Sequence, residues 1–126
     1  MRLRHLFAVN IFFALFFGLS CTLLPRSVFW LYGVQPQEPA LWATKLLGGS
    51  ILGFATLMWF GFNAASIESR RAIASALIVQ DLIGCIASLQ FQLTYEVNIV
   101  GWFSLTLYGV LALWYASFLF LRPDAC

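Results

Sequence analysis

The sequence predicts an all-α fold: an integral membrane four-helix antiparallel bundle with a short interfacial helix between helices one and two. Three observations predict it: a composition too apolar for water, four apolar runs of membrane-crossing length, and two joins too short for anything but antiparallel neighbours. The chain has 126 residues, 62% of them hydrophobic and 10% charged, and a mean hydropathy of +0.89. A soluble domain of this size leaves roughly 30–40% of its unfolded surface exposed, more than so few polar residues can cover. The bilayer is therefore the expected solvent, and the length suits one transmembrane domain, residues 1–126, with no second.

The four runs are Leu6–Leu24, Leu41–Phe62, Ala72–Leu93 and Ile99–Leu121. Each is close to the ~20 residues that cross about 30 Å of hydrocarbon. Without water inside the bilayer, a run satisfies its backbone only by closing hydrogen bonds within itself, so each is a helix. The first run follows Arg2, Arg4 and His5, a basic start like that of a secretory signal. It is nearer a full span than a signal core, however, and Gly18 stands where a lipoprotein cleavage site before Cys21 wants an aliphatic side chain. A retained transmembrane helix is expected.

Asn63–Arg71 and Thr94–Asn98 are the short joins; Pro25–Ala40, PRSVFWLYGVQPQEPA, is longer. Its Trp30 and Tyr32, with Trp42 just beyond, are expected as interfacial anchors, because indole and phenol rings favour the headgroup level. A helix from about Ser27 to Tyr32, ended by Gly33, is expected to lie in the interface; a lid or partner-docking element is the functional alternative.

Seven basic and five acidic residues give a net charge of +2. They are scattered, so neither a nucleic-acid surface nor a polybasic lipid-binding tail is expected. With the N-terminus inside, the cytoplasmic side holds Arg2, Arg4, Arg70, Arg71 and Arg122. The other side has Arg26 and the membrane-embedded Lys45, with Glu38 and Glu96. That bias is expected to place both termini of a multi-pass protein in the cytoplasm.

Asp81 is the one acid within an apolar run, near mid-membrane by helical rise. A carboxylate there costs roughly 2.5–3.5 kcal/mol even on the lenient insertion scale, so it must face protein, water or a cation, or hold a proton. Its own helical face carries Leu77, Gly84, Cys85 and Ser88, and Gln80 adjoins it. Lys45, about four residues inside the next-door helix, snorkels outward by default yet lies on a neighbouring antiparallel span. Lys45, Gln80 and Asp81 thus form a candidate intramembrane polar cluster. The pair reads as a clamp that fixes helix register; a proton relay, an ion site or a counter-ion to a bound head group is the functional alternative.

Gly48, Gly49, Gly53, Gly84, Gly101 and Gly109 are expected at helix contacts, where a missing side chain lets backbones approach. Asn10, Ser50, Thr56, Ser104 and Thr106 are expected to add interhelical hydrogen bonds of roughly 0.6 kcal/mol each. Cys21, Cys85 and Cys126 are odd in number and far apart, so they read as buried apolar fillers rather than a disulfide framework. His5 is the one histidine, too little for a zinc site, paired haem ligation or a catalytic triad. No phosphate-binding glycine loop is present. The expectation is no catalytic residue, no metal and no cofactor.

The segments LPRSVFWLYGV and LWATKLLGGSILG, the basic turn before the third span and the start of the fourth, VGWFSLTLYG, together resemble the DoxX-like superfamily of small bacterial four-helix membrane proteins. The likeness is one of pattern over most of the chain. It implies the four-helix fold more than any activity, and Lys45 stands where those proteins often carry an arginine. The expected function is a non-catalytic accessory or structural subunit of a larger membrane complex. Its partners would be the lipid bilayer and other membrane subunits or further copies of itself. A small dimeric transporter or channel using Asp81, Gln80 and Lys45 is one alternative; a lipid- or quinone-linked redox protein is the other.

Overall fold

The computed structural model describes residues 2–95 and 97–126; Glu96, counted in the charge balance above, lies outside them. The chain folds as α1 (Leu3–Leu23), α2 (Pro25–Leu31), α3 (Glu38–Asn63), α4 (Ile67–Tyr95) and α5 (Ile99–Ala116). A π-helical turn, Ser117–Leu121, and a 3₁₀ turn, Pro123–Ala125, follow. Among the described residues four helices are long and apolar enough to cross a membrane, the fourth being α5 continued to Leu121. The all-α, multi-pass membrane architecture is as the composition requires.

Local chemistry sets the boundaries. The Arg2 backbone N–H donates to His5 Nδ1 at 3.2 Å, which closes the first turn of α1 and gives the lone histidine a capping role. Pro25 opens α2, where a missing N–H and a fixed φ cost nothing. Gly33, at φ +73°, turns the chain out of α2 in a conformation that side chains disfavour. α3 starts at Glu38, three residues before the apolar run, because Pro39 and an acid both suit a helix N-terminus. α4 starts at Ile67, five residues before its run, as an amphipathic turn bearing Glu68, Arg70 and Arg71. Asn98 caps α5, its Oδ1 accepting from the Val100 N–H at 3.1 Å.

Chain order does not dictate packing. α1 packs chiefly on α3 and α4 on α5, while α3 and α4, although joined by a tight turn, touch much less. The α1–α3 crossing is set by Gly18 and Gly48. A Cβ on Gly48 would stand 2.8 Å from both the Gly18 carbonyl oxygen and the Thr22 nitrogen.

The two ends of the bundle differ. At the end carrying both termini, Leu3, Leu6, Phe7, Met58, Ala74, Leu77, Tyr115 and Phe118 are fully buried and belong to one cluster. Tyr115 holds it together: its hydroxyl accepts from Asn10 Nδ2 at 3.0 Å and donates to Met58 Sδ at 3.6 Å, linking α5 to α1 and α3. Arg70 closes the rim. Its Nε and Nη2 donate to the Ala64 carbonyl at 3.0 and 2.5 Å, and Nη1 donates to the Cys126 carbonyl at 2.8 Å. Arg4 lies over the Phe62 ring, 4.7 Å from its centroid.

Several expected contacts fall elsewhere. Gly49 and Gly53 have open space where a Cβ would stand, because they lie on the face of α3 turned away from α1. Gly48, one residue earlier, takes the contact. Gly84 packs against the Tyr108 ring and Gly101 against Gln92, whereas Gly109 has only ordinary contact, 3.7 Å from Cys85 Sγ. Ser50, Thr56 and Thr106 donate to the carbonyls of Leu46, Leu52 and Trp102, four residues back on their own helices. A hydroxyl finds that acceptor before any neighbouring helix.

Candidate ligand-binding cavity

Beyond the packed terminal half, the helix pairs α1–α3 and α4–α5 line a partly open cavity of about 440 Å³. All five helices line it. Its walls are mainly apolar and aromatic, with Phe13 and Phe17 from α1, Phe54 from α3, Phe91 from α4 and Tyr108 from α5. Val28 and Phe29 border it from α2 and Tyr32 from the turn just after it, and Asn10, Met58, Leu77 and Leu111 mark its deep end. This phase follows from helical spacing: Thr44, Leu47, Ile51, Phe54 and Met58 form one stripe of α3.

α2 spans the far end of the bundle. The Tyr32 hydroxyl is hydrogen-bonded to Ser104 Oγ on α5, and Asn98 Nδ2 donates to the Leu31 carbonyl at 2.9 Å. Arg26 Nη2 meets Glu38 Oε1 at 2.5 Å in an exposed ion pair, a geometry worth little in water. Burial pushes the Tyr32 phenol above its ordinary pKa, and the Ser104 bond opposes the shift only in part. Tyr32 is thus a neutral hydroxyl at the cavity border rather than a headgroup anchor. Trp30 and Trp42 are 79% and 67% exposed, as an anchor at the headgroup level requires.

Asp81 lies 14 residues from each end of α4 and is 3% exposed. It lines the cavity with Gln80, one helical face carrying Leu77, Asp81 and Ser88 into it. Among the described residues no group donates to Asp81 Oδ2 or to Gln80 Oε1, both buried. Phe91, at the opposite end of the cavity, is ten residues further along α4, about 15 Å by helical rise. The carboxylate is therefore at the deep end of an apolar chamber.

Lys45 does not join this cluster. It is exposed and borders a separate surface depression with Leu23, Leu24, Arg26, Glu38 and Trp42. Residues 38, 41, 42 and 45 share that face of α3, roughly 100° round from the stripe through Thr44. Snorkelling toward the α2 end then keeps the ammonium out of the cavity. Asp81 and Gln80 come together; the clamp to Lys45 is not formed.

Gln92 is the polar residue that sequence reasoning passed over. It is 5% exposed, and its Nε2 donates to the Val97 carbonyl beside Gly101, whose missing side chain makes room for it. A signal existed: Gln92 continues the spacing Asp81, Ser88 along one face of α4. No family model, curated protein or solved structure matches the chain, so the chemistry of the cavity is read from its own residues.

Proposed function

We propose that this is a non-catalytic binding protein of the membrane that takes up a lipophilic small molecule between its two helix pairs. The cavity carries the reading. Protein interiors ordinarily leave few voids larger than a water, whereas about 440 Å³ is in the range of ligand sites. An aromatic lining with a few polar groups at one end is what such sites use to hold and orient an apolar body. A transport role would also ask for a path through the terminal half, where Leu3, Leu6, Phe7 and Phe118 are packed; binding asks for none. The resemblance to DoxX-like proteins, and a cytoplasmic location for both termini in a bacterial inner membrane, belong to the same proposal.

Equilibrium binding of 1-naphthylmethanol to the protein in phosphatidylcholine nanodiscs tests this reading, with protein-free nanodiscs as reference. Saturable binding near one equivalent is expected. Ser88→Trp, which fills the cavity from α4, should weaken it by about tenfold or more, the equivalent of ~1.4 kcal/mol. Non-saturable partitioning equal to that of the protein-free discs would overturn the proposal.

An accessory-subunit role is the second reading, favoured by the uncovered Gly49 and Gly53 on α3, where another helix could approach closely. Purification in mild detergent distinguishes it: a stable set of co-purifying subunits supports it, and the protein alone opposes it.

A further inference from the structure

We infer that the cavity selects a lipophilic cation bearing N–H donors, an amphiphilic amine whose charged head sits against Asp81 and whose apolar body lies along the aromatic wall. The inference rests on the binding reading above and names the class of ligand. A carboxylate removed from water is tolerated when it meets a cation, several donors or a proton. Asp81 Oδ2 has no donor among the described residues.

The chain's own cations are elsewhere. Lys45 and Arg26 lie outside the cavity at the α2 end, while Arg4 and Arg70 are engaged at the terminal end. Arg2, Arg71 and Arg122 are exposed, at the terminal ends of their helices. Asp81 is thus the one acidic or basic side chain among the described residues lining the cavity.

The unmatched groups are also of one kind. Gln80 Oε1, like Asp81 Oδ2, is an acceptor without a donor. A ligand offering only carbonyl oxygens would add acceptors to acceptors, whereas an ammonium head brings donors and charge together. Tyr108, whose ring packs on Gly84 one turn from Asp81, also lines the cavity, and an aromatic ring beside the head favours a cation over a neutral group of the same shape. The remaining titratable side chains of the lining, Cys21 on α1, Tyr32 just after α2 and Tyr108 on α5, are neutral near pH 7 and offer no competing charge.

The experiment compares 1-naphthylmethylamine with 1-naphthylmethanol, alike in shape but differing in charge, on the full chain in phosphatidylcholine nanodiscs near pH 7. The amine is expected to bind wild type about tenfold or more tightly than the alcohol. Asp81→Asn should erase that preference, the amine losing more affinity than the alcohol, and Asp81→Glu should keep it. Equal affinities in wild type, or a preference that survives Asp81→Asn, would overturn the inference while the cavity reading stands. Failure of both probes to bind wild type would overturn the two together. A second measurement needs no variant: dicyclohexylcarbodiimide, a lipophilic carboxyl reagent, should modify Asp81 by peptide mass mapping. The amine should slow that modification and the alcohol should not. An unreactive Asp81, or labelling indifferent to the amine, would also count against the proposal.

Discussion

Gly48 shows how fine the packing is at a single position. A methyl group there meets backbone atoms of α1 that cannot move aside, so Gly48→Ala should cost about 1–3 kcal/mol of stability, read as a lower thermal midpoint in detergent. Gly53→Leu should change that midpoint little, within about 0.5 kcal/mol, because nothing in the chain faces it. The sequence marks a glycine-rich helix but does not say which glycine meets a neighbour. Gly48 and Gly49 differ by about 100° around α3, and both flanking faces are apolar enough for lipid. The same ambiguity hid the roles of the hydroxyls. Asn10 reaches across to Tyr115, while Ser50 and Thr56 turn back to carbonyls of their own helix. Asp81 was legible because an acid in an apolar run cannot be indifferent to its surroundings; its lack of a cation was not.

Among the elements, α2 is the one whose place depends on few bonds. Proline and aromatic residues announced a short interfacial helix, and the observed Pro25–Leu31 agrees with that expectation. The inward turn of Tyr32 had no sequence signal, since a tyrosine in such a segment serves an anchor or a hydrogen bond equally well. Asn98 does two jobs, capping α5 and holding the Leu31 carbonyl. Asn98→Ala should therefore cost about 1 kcal/mol through the lost cap and also loosen α2. Faster hydrogen exchange at the α2 amides, with exchange in α1 and α3 unchanged, would show the second effect; exchange altered only at the start of α5 would deny it.

At the scale of the whole molecule, the number of helices and their alternation were legible because lipid demands long apolar helices and short joins demand antiparallel neighbours. Their pairing was not. Between apolar helices in lipid the hydrophobic effect gives no guide, and association follows shape and a few polar groups. The expected Lys45–Asp81 clamp failed for that reason: α3 turns its closest face to α1, and Lys45 to the surface. Topology is testable at a position chosen from the structure. Cys126 is buried against the Phe118 carbonyl and makes a poor reporter, whereas Asp124 is exposed. With both termini cytoplasmic, Asp124→Cys should resist an impermeant maleimide in intact cells and react after permeabilisation.

The contrast between a close-packed terminal half and a chambered α2 half has a mechanical consequence. Compressibility in proteins follows internal free volume, so the molecule is stiff on one side of its midplane and soft on the other. Lateral pressure in a bilayer presses on the two leaflets separately. A rise confined to the leaflet around α2 would meet the yielding half and squeeze the chamber, while the same rise in the opposite leaflet would meet side chains already in contact. The elastic state of a single leaflet is thereby coupled to the space around Asp81.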